Sequence, residues 1–196
     1  MWRKFGRIML NRSGPRAIWQ ELRRDEKGAT ALEFALVAVP FLSLLYGIIG
    51  VGLFFFTTFS LENAIEQAAR TLRTGQAQSA AAAGNQTQSQ AADAFKAAVC
   101  SYVPSFVDCA GKLRVNVLNF PSSAAITPAS IPQCLTGGSL SATSSFSPGE
   151  ASVVVLVWLC YEWEMTKIIP FLDLSNMGNG SRLIQASTTF RTEPYK

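Results

Sequence analysis

Few residues in this chain have types and spacings suited to chemistry. The 196 residues contain no histidine, which removes Ser/His and Cys/His nucleophile pairs and the commonest metal ligand. Ser/Asp and Asp/Glu pairings occur, but none has a spacing that nominates catalysis. The chain is therefore expected not to be an enzyme and to need no metal or cofactor. Four cysteines remain: Cys100, Cys109, Cys134 and Cys160. They form no C-x-x-C, and a zinc site here would need all four thiolates. An even count fits two disulfides in an oxidising compartment. Of the three possible connectivities, Cys100–Cys109 with Cys134–Cys160 is favoured because the first pair closes a short local loop. Unpaired buried thiols are the alternative.

The most informative single residue is Glu33, at the start of a long apolar run in Lys-Gly-Ala-Thr-Ala-Leu-Glu-Phe, residues 27–34. A carboxylate deep in a membrane helix costs about 2.5–3.5 kcal/mol, and less near the interface. The bland explanation is a snorkelling acid that marks the lipid boundary. A sharper one follows from the Lys27-Gly28 junction before it. Cleavage between Gly28 and Ala29 would create an α-amino group four residues from Glu33, and positions i and i+4 share a helix face. The acid would then gain a positive partner, from its own chain or a neighbouring copy, which lowers the cost of burying either charge.

The element that must position Glu33 is the uncharged stretch Phe34–Phe59, 26 residues long. As a helix it would span about 39 Å, against about 30 Å of hydrocarbon. It is too long for a secretory h-region and lacks an A-x-A cut site, so it is expected to cross a membrane. Ala31, Ala35, Ser43 and Gly47 recur at four-residue steps, with Val39 and Val51 completing the row. Such a row can let a second helix approach closely, or it can be ordinary membrane-helix composition. Pro40 and the glycines at 47, 50 and 52 are expected to kink or loosen the middle of the span.

Charge sets the orientation. Residues 1–28 hold eight Lys/Arg against three Asp/Glu, a charge of +5, so the chain's net +4 comes from that tail and the remainder is −1. Basicity confined to a tail is no argument for a nucleic-acid partner. By the positive-inside rule, residues 1–28 stay in the cytoplasm and residues 60–196 are exported. All four cysteines fall on the exported side.

After the span the helix is expected to continue. Leu61, Ile65, Ala68, Ala69 and Leu72 lie on one face, Glu66–Arg70 has the favourable i,i+4 order, and Gly75 is a stop. Residues 76–92, rich in Ala, Gln and Ser, read as a spacer with partial helix broken at Gly84. A short helix is expected over Asp93–Tyr102 and a half-buried strand over Leu113–Phe120. The Ser/Pro/Gly-rich residues 121–150 read as a long surface loop. Ser152–Met165 is the strongest strand candidate, Ile168–Leu174 a short apolar stretch bent at Pro170, Met177–Gly180 a turn, and Arg182–Arg191 a final strand. Trp158 and Tyr161 fall on opposite strand faces, which favours packing over a ligand-stacking platform. The domains expected are a basic leader (1–28), a transmembrane helix (29–59), an amphipathic helix with spacer (60–92) and an exported α+β domain (93–196). The fold class is α+β: a long N-terminal transmembrane helix followed by a small antiparallel β-sheet domain, a pilin-like layout.

A basic leader, a glycine, four small or apolar residues, Glu-Phe and a long apolar helix resemble the leader cut by prepilin peptidases. More narrowly, the segment from Gly28 through Glu33-Phe34 and the amphipathic helix ending in Ala-Ala-Arg resemble the TadE-like family of pseudopilins of the tight adherence (Flp) pilus machinery. Val153–Trp163 with its Tyr-Glu-Trp, Asn179–Ser187 and the terminal Phe-Arg-Thr-Glu-Pro-Tyr extend the likeness. The acid that many members carry near the position of Gly50 is absent. The resemblance implies that Gly28 and Ala29 flank a scissile bond, and that Glu33, beside Phe34, helps register subunits during assembly. It implies a minor pseudopilin in the inner membrane with a periplasmic C-terminal domain. Its partners would be the lipid bilayer, a prepilin peptidase, other pilins or pseudopilins, and inner-membrane pilus assembly proteins. The rival expectation is an uncleaved, signal-anchored envelope protein whose periplasmic domain binds a partner or a glycan.

Overall fold

The computed structural model describes residues 29–142, 144–168 and 173–194. The chain divides into two units, Met1–Leu45 and Tyr46–Lys196. Helix α1, Ala29–Arg73, contributes its first residues to one unit and the rest to the other. It is continuous through Pro40 and the glycines that follow, so the expected weak point leaves the helical assignment uninterrupted. The bend expected at Pro170 lies outside the described residues.

In the second unit, α1 ends at Arg73 because Gly75 takes a left-handed conformation (φ 74°) that a side chain would strain. Two helices follow: α2 (Gln76–Ala83) and α3 (Gln88–Ser101). The break at Gly84 is present, but α3 begins well before Asp93. A boundary at 92/93 therefore cuts through a helix. The reason is a capping box: the Thr87 side chain accepts from the Gln90 backbone N–H, and the Gln90 side chain accepts from Thr87 N–H at 2.8 Å. A short turn of helix, α4 (Cys109–Lys112), is capped by Asp108 and leads into the sheet.

Strands β1 (Leu113–Phe120), β4 (Val154–Trp163) and β5 (Arg182–Arg191) form an antiparallel sheet in the order β1-β4-β5. Residues 121–150 are more ordered than a surface loop. They contain 3-10 turns at Ser123–Ala125 and Pro128–Ser130 and a hairpin of β2 (Leu135–Thr136) with β3 (Ser139–Leu140) around Gly137-Gly138. Phe146 then bridges Val117 in parallel and tucks its ring beside Phe95.

The core lies between α1 and one face of the sheet. Leu61, Ala64, Ile65, Ala68, Ala69 and Leu72 are buried against Val115, Val155, Val157, Leu159, Tyr161, Ile184 and Phe190, with Phe95 and Val99 of α3 closing the side. The apolar period of 3.6 in α1 and of 2 in β5 is the physical cause: each element has one face that water must leave. Length matching helps. Arg182 lies over the Phe54 ring (4.9 Å) and Arg73 over Phe190 (5.2 Å). Helix and strand therefore run side by side over about 28 Å, at 1.5 Å per helical and about 3.4 Å per strand residue. Burial is the main cause holding the Tyr161 phenol above its ordinary value, aided by the negative charge of Asp108.

Candidate functional site

In the first unit, α1 starts at Ala29, immediately after the junction where cleavage was expected; Gly28 itself and the whole leader 1–28 lie outside the described residues. Glu33 and Phe34 are one turn in, both exposed, Phe34 by 74%. Among the described residues Glu33 makes no hydrogen bond or ion pair. Ala31 and Ala35 are exposed beside it, while Ser43 and Gly47 further along are half-buried. Large apolar side chains project on every side of this stretch: Leu36, Val37, Phe41, Leu44, Ile48 and others are mostly exposed. A soluble domain would bury such a surface; a lipid phase does the same work. The small-residue row is present as spacing, and Ala31 and Ala35 touch no second helix among the described residues.

Hydroxyls along α1 bond back into their own helix. Ser43 Oγ donates to the Pro40 carbonyl (2.9 Å), Thr57 to Leu53 (2.8 Å), Thr58 to Phe54 (2.9 Å) and Ser60 to Phe56 (2.7 Å). Each donor is thus satisfied within its own helix: Ser43 lies in the exposed apolar stretch, where lipid would offer no alternative partner, while Thr57 is buried by the protein itself.

In the second unit, packing of α1 against the sheet domain begins at Leu53 and Phe54, before Phe59. Phe55, Phe56 and Phe59 remain exposed, and Phe106 from the α3–α4 turn, 52% exposed, stacks on Phe56 at 5.8 Å. The result is an aromatic collar at the base of the domain, which sequence inspection missed because Phe106 is isolated in a polar turn.

The cysteines pair as Cys100–Cys109 and Cys134–Cys160, each with Cα atoms 5.7 Å apart. The second bridge ties the 121–150 segment to the centre of the sheet, and the Trp158 indole N–H points at Cys134 Sγ (3.1 Å). Trp158 is half-buried by this contact while Tyr161 is in the core, so the two aromatics pack on opposite faces. Two separated pieces of the motif pattern also meet. Glu162 of Tyr-Glu-Trp accepts hydrogen bonds from Asn179 (2.6 Å) and from the fully buried Ser181 (2.9 Å) of the Asn-Gly-Ser turn. That pairing fixes the turn that starts β5. Glu66, by contrast, forms no ion pair with Arg70; the ion pairs among the described residues join Glu164 to Lys112 and Lys167.

The described residues thus combine an exposed apolar helix that opens on an acid with a small disulfide-tied sheet domain later in the sequence. Residues 28–70 match the TadE-like protein family. The match begins at Gly28, takes in Glu33 and the apolar stretch, and ends within the amphipathic part of α1. The TadE-like segment is thus the helix, while the sheet domain lies beyond it. No curated protein and no solved structure matches the chain.

Proposed function

We propose that this is a minor pseudopilin-like membrane protein acting in assembly of a tight adherence (Flp-type) type IV pilus. In this reading a prepilin peptidase cuts it after Gly28. The observation that carries the proposal is the register of the family match: it starts at Gly28, at the edge of an exposed apolar helix whose early turn presents Glu33. Before processing, the basic residues 1–28 hold the N-terminus in the cytoplasm and α1 crosses the inner membrane. After processing, the Ala29 ammonium pairs with a Glu33 carboxylate, in the same chain or a neighbour, so that two charges costly in lipid become one neutral pair. Other pilins or pseudopilins and inner-membrane assembly proteins then contact the open sides of the helix.

The packing supports a shorter lipid span than the charge pattern suggests. Because the sheet domain takes over at Leu53, the lipid-facing stretch is Phe34–Gly52, about 28 Å of helix, close to the hydrocarbon thickness. The two disulfides of the second unit accord with export to an oxidising periplasm. The test is processing in cells with and without the peptidase. The wild-type chain should shorten only where the peptidase is present, Gly28→Ala should be cut at a similar or reduced rate, and Gly28→Trp should stay full length. Equal processing of Gly28→Trp, or none of the wild type, refutes the reading and leaves an uncleaved, membrane-anchored envelope protein.

A further inference from the structure

The sheet treats its two outer edges differently. At the β1 edge, Val117 N–H donates to Ser145 and Val117 C=O accepts from Ser147, both at 2.7 Å, so the middle of that edge is closed by the 145–147 segment. Since Val117 points its backbone away from β4, its partner Val157 must point toward β5, where it faces Thr188. The bond from Thr192 N–H to Val153 (2.9 Å) gives the same phase. Even-numbered β5 residues therefore bond β4, and Gln185, Ser187 and Thr189 direct their N–H and C=O groups outward. Leu183 N–H, also outward, is capped by the Asn176 side chain (2.7 Å). For the next three outward residues no backbone partner exists among the described residues. An open edge is normally blunted by lysine, proline or a bulge; Gln185–Thr189 carries none of these.

This edge borders a groove of about 690 Å³, lined by Gln185, Ala186 and Ser187 of β5, by Trp158 of β4 and by the α1 stripe Phe59, Glu62, Asn63 and Glu66. Both glutamates are exposed, and neither is in an ion pair among the described residues. Side chains directly opposite one another across an antiparallel pair share a face. A residue set opposite Ala186, which belongs to the core face, would thus point toward the helix side that carries Glu62 and Glu66.

We propose that β5 is a strand-acceptor edge. Its ligand is an extended segment of a second polypeptide with Lys or Arg opposite Ala186, held by main-chain bonds to Gln185, Ser187 and Thr189 and by the two glutamates. This is β-strand addition, in which the backbone supplies affinity and alternate side chains supply specificity. A second copy of this chain is a poor occupant. Its own β5 would bring another Glu62/Glu66 pair into the groove, and its β1 edge is closed at the middle by the 145–147 segment. The proposal does not depend on processing after Gly28.

The test uses the full-length protein in lipid nanodiscs and the fluorescent probe peptide Thr-Val-Thr-Lys-Thr-Val-Thr, read by anisotropy at low salt. The lysine peptide should bind at least about tenfold more tightly than the same peptide with Glu in place of Lys. N-methylation of the two central threonines should abolish binding. Glu62→Gln with Glu66→Gln, both on exposed helix positions, should erase the Lys-over-Glu preference while leaving the fluorescence of the fold unchanged. Ser187→Pro removes one outward N–H at an edge position that tolerates proline, and should weaken the lysine peptide. Absence of binding at about millimolar peptide, equal binding of the two peptides, or full binding by the N-methylated one overturns the proposal. So does spontaneous cross-linking of Ser187→Cys between two copies in preference to peptide capture.

Discussion

Removing the two disulfides one at a time should destabilise the sheet domain unequally. Cys134–Cys160 closes a sequence separation of 26, Cys100–Cys109 one of 9. Loop-closure entropy alone then assigns about 3.5 kcal/mol to the first and about 2.6 kcal/mol to the second. Local packing widens the gap. Cys134 and Cys160 are buried, and Cys134 receives the Trp158 indole, so Cys134→Ala with Cys160→Ala also leaves a cavity. The Cys100–Cys109 loop is held additionally by Lys96 Nζ donating to the Ala110 carbonyl (2.7 Å) and by Asp108 capping Gly111 N–H (3.1 Å). The assay is urea unfolding of the full chain in detergent, followed by the fluorescence of Trp158 and Trp163. With a urea slope of about 1.5 kcal/mol/M, the Cys134/Cys160 variant should lose about 2 M in midpoint. The Cys100/Cys109 variant should lose less. A larger loss in the Cys100/Cys109 variant, or no loss in the other, would refute the reasoning.

Truncation of the fully buried Leu61 to Ala should cost about 2–5 kcal/mol in the same unfolding experiment, because it opens a void between α1 and the sheet. An unchanged midpoint would mean that α1 does not dock where described. The raised Tyr161 phenol makes the fold alkali-sensitive. The folded protein keeps a proton that the unfolded chain releases near pH 10, so stability is full below about pH 10 and falls as pH rises through the folded value. Tyr161→Phe should flatten that fall, as read from urea midpoints at about pH 9 and about pH 11; equal slopes would rule the phenol out as its source. Glu33→Leu should leave processing after Gly28 intact yet impair pilus assembly, seen by counting surface pili. Normal pili in that variant would show that the acid has no pairing role.

Much of this fold was legible in the sequence where a single period dominates. The apolar stretch, the Leu61–Leu72 face of α1, the alternation of Leu113, Val115 and Val117, and the β-branched run in β4 each have one dry face that only one geometry satisfies. The glycines at 75 and 84 end helices as expected because a left-handed or weakly helical residue is needed there. Other features were not legible for physical reasons. The first turn of α3 contains no apolar residue, and its start is announced only by the Thr87–Gln90 reciprocal cap. Phe146 is one aromatic in a Ser-rich stretch, and its burial depends on Phe95, far away in sequence. Glu66–Arg70 has the right spacing for an ion pair, yet exposed pairs of this kind gain too little to fix two long side chains. The candidate site was readable as residues, Glu33 next to a glycine junction. Its expected partner, an amine at Ala29, depends on a covalent event and not on folding, so a single chain's packing does not assemble it.

The most direct measurement is the intact mass and N-terminal residue of the chain purified from membranes of cells that possess the peptidase. A mature chain beginning at Ala29 is expected. A functional chain that still carries residues 1–28 would contradict the pairing of Glu33 with a new N-terminus and, with it, the pseudopilin role.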